Sequence, residues 1–172
     1  MESKFKDKIQ TLYKQIHYTS GIVDVYKLAE SLGIRVIEED LPDKVSGVLD
    51  CRHQNNPIVL LNSGHFHKRK RFTLAHEIGH FVLHKITGVH MDSKIFLRQE
   101  APTSQDIKIE REANQFAAEL LMPEDEIRRA WEELPEDWFD KKPLDTISGK
   151  LGVSEAALLI RLKQLKGFIP NW

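Results

Sequence analysis

AHEIGHFVLH, residues 75–84, decides how the rest of the chain is read. Two of its three histidines, His76 and His80, stand four residues apart. On a helix that spacing is just over one turn, about 6 Å of rise, so both imidazoles leave the same face. They can then converge on one zinc ion at roughly 2.0–2.1 Å per nitrogen. Glu77 points about 100° round the helix from His76, which directs it to a water held by the metal rather than to the metal. That is the place of a general base, acting on a water whose pKa zinc lowers to about 7. Phe72, Leu74, Ala75, Ile78, Phe81 and Val82 supply apolar anchoring, and Gly79 leaves the approach to the site uncrowded. The five-residue pattern alone fits a buried helix with incidental histidines equally well, so its surroundings must discriminate.

A third ligand is needed. A histidine six residues beyond His80, as metzincins require, is absent, because that position is Ile86. His84 lies on nearly the same face but about 12 Å of rise from His76, too far to share one ion, and reads as a core or capping histidine. His65, His67 and His90 fall in expected loops. A better source is EREANQFAAELLMP, residues 110–123. Glu110 faces the same way as Asn114, one turn on, and a glutamate ligand followed at that spacing by a polar residue holding a ligand histidine is the gluzincin arrangement. Glu112 is the rival ligand. It projects about 160° away from Asn114, so Glu110 is preferred, although both satisfy the ligand chemistry.

Outward from these motifs, the N-terminal side reads as two helices, Lys4–Tyr18 and Val23–Leu32, the second stopped at Gly33. IRVIEED follows as a strand, then SGVLDC and PIVLLN as a hairpin. A basic stretch, His67-Lys68-Arg69-Lys70-Arg71, feeds a helix over Phe72–His84 and reads as a solvated loop, with steering of an acidic substrate or DNA contact as the alternative. KIFLR is a candidate short strand. From Ile107, the residues Ala113, Phe116, Ala117, Leu120 and Leu121 form one apolar stripe ending at Pro123, which is placed to start a further helix through Trp131. ELPEDWFDKKP is an acidic connector. The tail holds two short helices joined through Gly152 and capped at Ser154.

The 172 residues, 41% hydrophobic and 30% charged, suffice for one good core. A net charge of -1 argues against a protein built to coat nucleic acid or anionic membrane. The single cysteine, Cys51, excludes an intramolecular disulfide framework and reads as a small hydrophobe. No apolar run approaches membrane-spanning length, and MESKFKDKIQ has no apolar signal-like region. A cytoplasmic protein with no membrane partner is the expectation.

RFTLAHEIGHFVLH and EREANQFAAELLMP together resemble the ImmA/IrrE family of zinc metallopeptidases, and the preceding helix, strand and hairpin follow that family's order. The resemblance implies a compact cytoplasmic gluzincin-like fold, with His76 and His80 as zinc ligands, Glu77 as catalytic glutamate and Glu110 as third ligand. It also implies a protein substrate, since proteolytic members cut helix-turn-helix repressors of mobile elements or of DNA-damage genes.

The expected fold is therefore α+β: a gluzincin-like metallopeptidase domain over residues 1–134, with a small sheet, the HExxH helix and the glutamate-ligand helix, and a helical extension over 135–172. That extension imitates a helix-turn-helix in spacing. Its would-be reading helix opens Glu155-Ala156-Ala157-Leu158-Leu159, an acid and apolar residues where base and phosphate contacts need Arg, Lys, Asn, Gln or Ser. No direct DNA binding is expected, and the tail reads as a packing element or repressor-docking surface. PIVLLN reads either as a core strand or as an exposed edge beside the zinc onto which a substrate strand adds. Met122 is read as core. No oxyanion stabiliser is placed; Tyr13, Tyr18, Tyr26 and His90 are the candidates. The competing class is a non-proteolytic, zinc-stabilised module that sequesters a repressor.

Overall fold

Apolar spacing and capping residues set the elements in chain order. The computed structural model describes residues 4–53, 55–93, 103–134 and 143–165. Helix α1 (Lys6–Gln15) buries Ile9, Leu12 and Tyr13. Helix α2 (Val25–Ser31) begins at Asp24, whose carboxylate accepts from the Tyr26 and Lys27 amides, a cap worth about 1 kcal/mol. It ends at Gly33 with φ at 72°, the left-handed conformation that glycine adopts without penalty.

The sheet contains β1 (Arg35–Glu39), β2 (Val45–Asp50), β3 (Ile58–Asn62) and β4 (Val89–Ser93), in the order β1-β3-β2-β4. β1 runs parallel to β3, and the other two pairs are antiparallel. The hairpin is where the sequence placed it. PIVLLN, however, is not an edge: β3 is paired on both sides, and Val59 and Leu61 are fully buried, so the core-strand alternative holds.

Helix α3 (His67–Gly79) continues into a wide π turn over His80–His84. It begins five residues before the expected start at Phe72, because the basic run is its opening and not a loop. The side chains of that run find partners on neighbouring elements: Arg69 on the Ser46 hydroxyl, Lys70 on Glu38, and the buried Arg71 on the Gly152 carbonyl.

Helix α4 (Ser104–Leu121) starts at a capping box in which Thr103 and Asp106 each accept from the other's backbone amide. It carries Ala113, Phe116, Ala117, Leu120 and Leu121 into the core, the stripe read from the sequence. Helix α5 (Glu124–Glu132) follows directly, with Pro123 as its cap. Helices α6 (Pro143–Leu151) and α7 (Glu155–Gln164) turn at Gly152, φ 64°, and Ser154 caps α7 through the Ala157 amide. Ile147, Leu151, Val153, Leu158 and Leu162 join the same apolar cluster as Leu74, Ile78 and Phe116. The described residues thus form an α+β fold of seven α-helices and a small mixed sheet. None of these helices is long and apolar enough to cross a membrane. KIFLR and residues 135–142 of the connector lie outside the described residues.

α3 is pressed between the sheet and α4 by two glycines. A Cβ on Gly47 of β2 would sit 2.6 Å from Thr73 Cγ2 and 3.3 Å from Glu77 Oε1. One on Gly79 would sit 3.1 Å from Phe116 Cδ1 and 3.3 Å from the Ala113 Cα. Both faces of α3 can therefore approach their neighbours more closely than any larger residue permits.

Candidate metal centre

His76 near the end of α3 and His80 at the start of the π turn aim their Nε2 atoms at one another, 2.9 Å apart. Glu110 on α4 brings Oε2 to 3.4 Å from His76 Nε2 and Oε1 to 3.3 Å from His80 Nε2. One donor atom from each of the three residues falls within 4.8 Å of the others. His76 and His80 are buried, whereas the Glu110 side chain is 36% exposed, so the cluster is closed on the α3 side and open on the α4 side.

Protonation favours a cation here. Burial, reinforced by His76 and His90 and partly offset by Glu110, pushes His80 down to about 4. Its ring is neutral at neutral pH and offers a lone pair. Burial works against charge on Glu110, but hydrogen bonds from His76, His80 and His90 outweigh it and hold the carboxyl well below the usual carboxylate range. Two imidazoles, that of His80 neutral, and an ionised carboxylate facing one point are a donor set that suits zinc. The residues present fit the metal.

Glu77 is fully buried beside this cluster, facing the Gly47 backbone on one side and His90 on the other, with Oε2 3.6 Å from His90 Nδ1. Glu112 turns the other way, toward His84 at 3.2 Å and Lys4 at 2.6 Å. Asn114 is exposed and donates to the Glu110 backbone carbonyl, one turn back on its own helix. The amide expected to hold a ligand histidine is engaged in the structure by the nearest helix carbonyl, as Asn side chains commonly are.

His90 is the residue that sequence reasoning left in a loop. It lies on β4 opposite Leu49, its Nε2 is 2.9 Å from Glu110 Oε1, and its ring centroid is 3.9 Å from that of His80. Burial opposes its charge, yet contacts with Glu110 and Glu77 prevail and push it up to about 10. The available signal was the Val89-His90-Met91 run after Gly88, whose β-favouring flanks suit a strand. The tyrosine candidates are engaged elsewhere: Tyr13 donates to the Leu120 carbonyl, Tyr18 to the Gly21 carbonyl, and the Tyr26 ring stacks on His67. Cys51 is buried, and burial raises its thiol pKa, which suits a small core side chain.

The IrrE N-terminal-like domain matches residues 29–163 of the chain. A protein of Bacillus phage phi105, called uncharacterized immunity region protein 2, is 32% identical over 83% of this chain and 82% of that protein. The metallopeptidase ImmA of Bacillus subtilis (strain 168) is 26% identical over 73% of this chain and 67% of that protein. The fold is similar to that of a Mycobacterium tuberculosis transcriptional regulator, with a TM-score of 0.62 at 21% identity over 94% of this chain. The chain spans 47% of that regulator's length.

Proposed function

The chain belongs to the ImmA/IrrE family, and on that premise we propose that it is a cytoplasmic zinc-dependent endopeptidase of gluzincin type. Its substrate in this reading is a helix-turn-helix transcriptional repressor, cut at a specific site. The observation that carries the reading is the convergence of His76, His80 and Glu110 with Glu77 buried beside them. The immunity-region and metallopeptidase names of two relatives support the substrate class.

When bound, zinc supplies Lewis acidity that polarises a peptide carbonyl and eases the ionisation of water. His76, His80 and Glu110 hold it. Glu77 takes a proton from the attacking water and passes it to the leaving amine. Its burial keeps the carboxylate out of bulk solvent. His90, facing both carboxylates, presents a ring N–H beside the place where negative charge builds on the carbonyl oxygen. The exposed flank of Glu110 leaves room for an extended polypeptide. We assign catalysis to residues 1–134 and presentation of the repressor to the helical extension, 135–172.

Incubation with repressors encoded beside its own gene tests this reading. A single cut that disappears with Glu77→Gln supports it. A stable complex without cleavage, unchanged by Glu77→Gln, replaces the enzyme with a sequestering module.

A further inference from the structure

Behind the cluster, a chain of polar contacts leads away from His80. His84, at the end of the π turn, places Nδ1 3.2 Å from His80 Nδ1. Its Nε2 lies 3.2 Å from Glu112 Oε2, and Glu112 Oε1 takes the Lys4 ammonium at 2.6 Å. The His84 side chain is 9% exposed, so bulk water does not readily replace it.

We propose that His84, Glu112 and Lys4 are positioning residues that fix His80 in its metal-binding tautomer and thereby strengthen the hold on zinc; this rests on the zinc-site reading above. Proton bookkeeping along the chain has one solution. His80 faces His76 and Glu110 through Nε2, so that nitrogen must be bare to act as a ligand, and the neutral ring then carries its proton on Nδ1. An Nδ1–H on His80 requires an acceptor, so His84 Nδ1 must be bare. The His84 proton then sits on Nε2, where Glu112 accepts it. Glu112 has no proton to give, and Lys4 balances its charge. From His80 to Glu112, each donor along the chain meets an acceptor. Supporting contacts of this kind raise ligand basicity and fix ring orientation, and their loss typically weakens metal binding 10–100-fold.

The arrangement also assigns a role to two residues that the sequence left competing or idle. Glu112, the rival ligand, acts through His84. His84, too far from His76 to share its ion, reaches the opposite nitrogen of His80 because the wide π turn carries it there.

Zinc affinity of the full chain, measured by competition with a chromogenic chelator, tests the proposal. Asn places its amide oxygen where His carries Nδ1 and keeps the acceptor; Leu has similar reach and none. His84→Leu should weaken zinc binding about 10–100-fold, and His84→Asn should restore it to within about threefold of the unmodified protein. In long-range proton–nitrogen spectra of the zinc-loaded protein, His84 should carry its proton on Nε2 and His80 on Nδ1. Unchanged affinity in His84→Leu, equal losses in the Leu and Asn variants, or a His84 proton on Nδ1 would overturn it. If the unmodified protein holds no stoichiometric zinc, or His76→Ala binds as tightly, the site reading itself is wrong and the positioning role goes with it.

Discussion

The imidazole of His90 on strand β4 lies 2.9 Å from the carboxylate of Glu110 on helix α4. This contact ties the sheet to the open side of the candidate metal cluster and sets His90 between Glu110 and Glu77. In His90→Gln, stoichiometric zinc should remain, because three donors are untouched, while repressor cleavage should fall about 10²–10³-fold, the usual effect of losing one donor to a developing oxyanion. Metal analysis together with initial cleavage rates separates the two effects. Undiminished cleavage would remove His90 from the chemistry.

The ligand set gives its own pattern. His76→Ala, His80→Ala and Glu110→Ala should each lose stoichiometric zinc on dialysis, whereas Glu77→Gln should keep one equivalent and lose cleavage. Glu112→Ala should also keep its equivalent when no chelator competes, since Glu112 points away from the cluster toward His84 and Lys4. Elemental analysis reads this directly, and loss of zinc from Glu112→Ala but not from Glu110→Ala would exchange the two roles.

Gly47 sets how closely the sheet meets α3. An added methyl would fall 2.6 Å from Thr73 Cγ2 and 3.2 Å from the Leu60 carbonyl oxygen. Overpacking of this kind typically destabilises by about 1–3 kcal/mol. Gly47→Ala should therefore lower the urea midpoint and, by shifting Glu77, reduce cleavage. Thr73→Ser in the same chain removes the colliding methyl and should recover part of the loss. A variant as stable and active as the unmodified protein would show that the strand yields freely.

For the metal-free protein, two histidines give stability opposite slopes with pH. Burial lowers His80 from an ordinary 6.5 to about 4. Its contribution is present above 6.5 and is lost as pH falls toward 4, amounting to about 3 kcal/mol at most. His90, despite burial, is raised by Glu110 and Glu77 to about 10. Its contribution is present below 6.5 and is lost as pH rises through 10. Urea denaturation of chelator-stripped protein should show a maximum near 6.5. His80→Gln should flatten the acid limb relative to the unmodified protein and His90→Gln the alkaline limb; if neither variant changes its limb, these residues do not set the pH dependence.

The tail should not read DNA. Glu155 and Ala156 are exposed at the start of α7. Arg161 is buried, with Nε donating to the Met122 carbonyl and its guanidinium near Glu119, and Lys150 pairs with Glu133. Among the described residues of the tail, too few free cations remain for the phosphate contacts that dominate DNA affinity. A mobility-shift titration of the protein alone against the neighbouring operator should show no sequence-specific, submicromolar complex. Such a complex, lost on deleting residues 145–172, would make the protein a DNA-binding regulator as well.

Much of this architecture was written into local sequence. The spacing of His76 and His80 placed two imidazoles on one helical face, and the apolar stripe from Ala113 to Leu121 gave α4 its buried side. Gly33, Gly152 and Ser154 marked helix ends through their own short side chains or their backbone freedom, whereas Asp24, inside the helix expected from Val23, proved to be its cap. These features depend on residues within a turn or two of one another, where helix geometry fixes the neighbours.

Contacts between elements distant in the chain were decided by tertiary structure. Whether PIVLLN lay at an edge depended on β1, 23 positions earlier in the register Arg35↔Ile58. His90 reached Glu77 and Glu110 only because β4 pairs with β2. Glu110 and Glu112 share a helix and a chemistry, and only the packing of α4 against α3 turned one toward the histidine pair and the other toward His84 and Lys4. Helical periodicity fixes the angle between two side chains on one helix; which of them meets the His76–His80 pair depends on the rotation at which that helix packs against its neighbour, and that is set by the whole core.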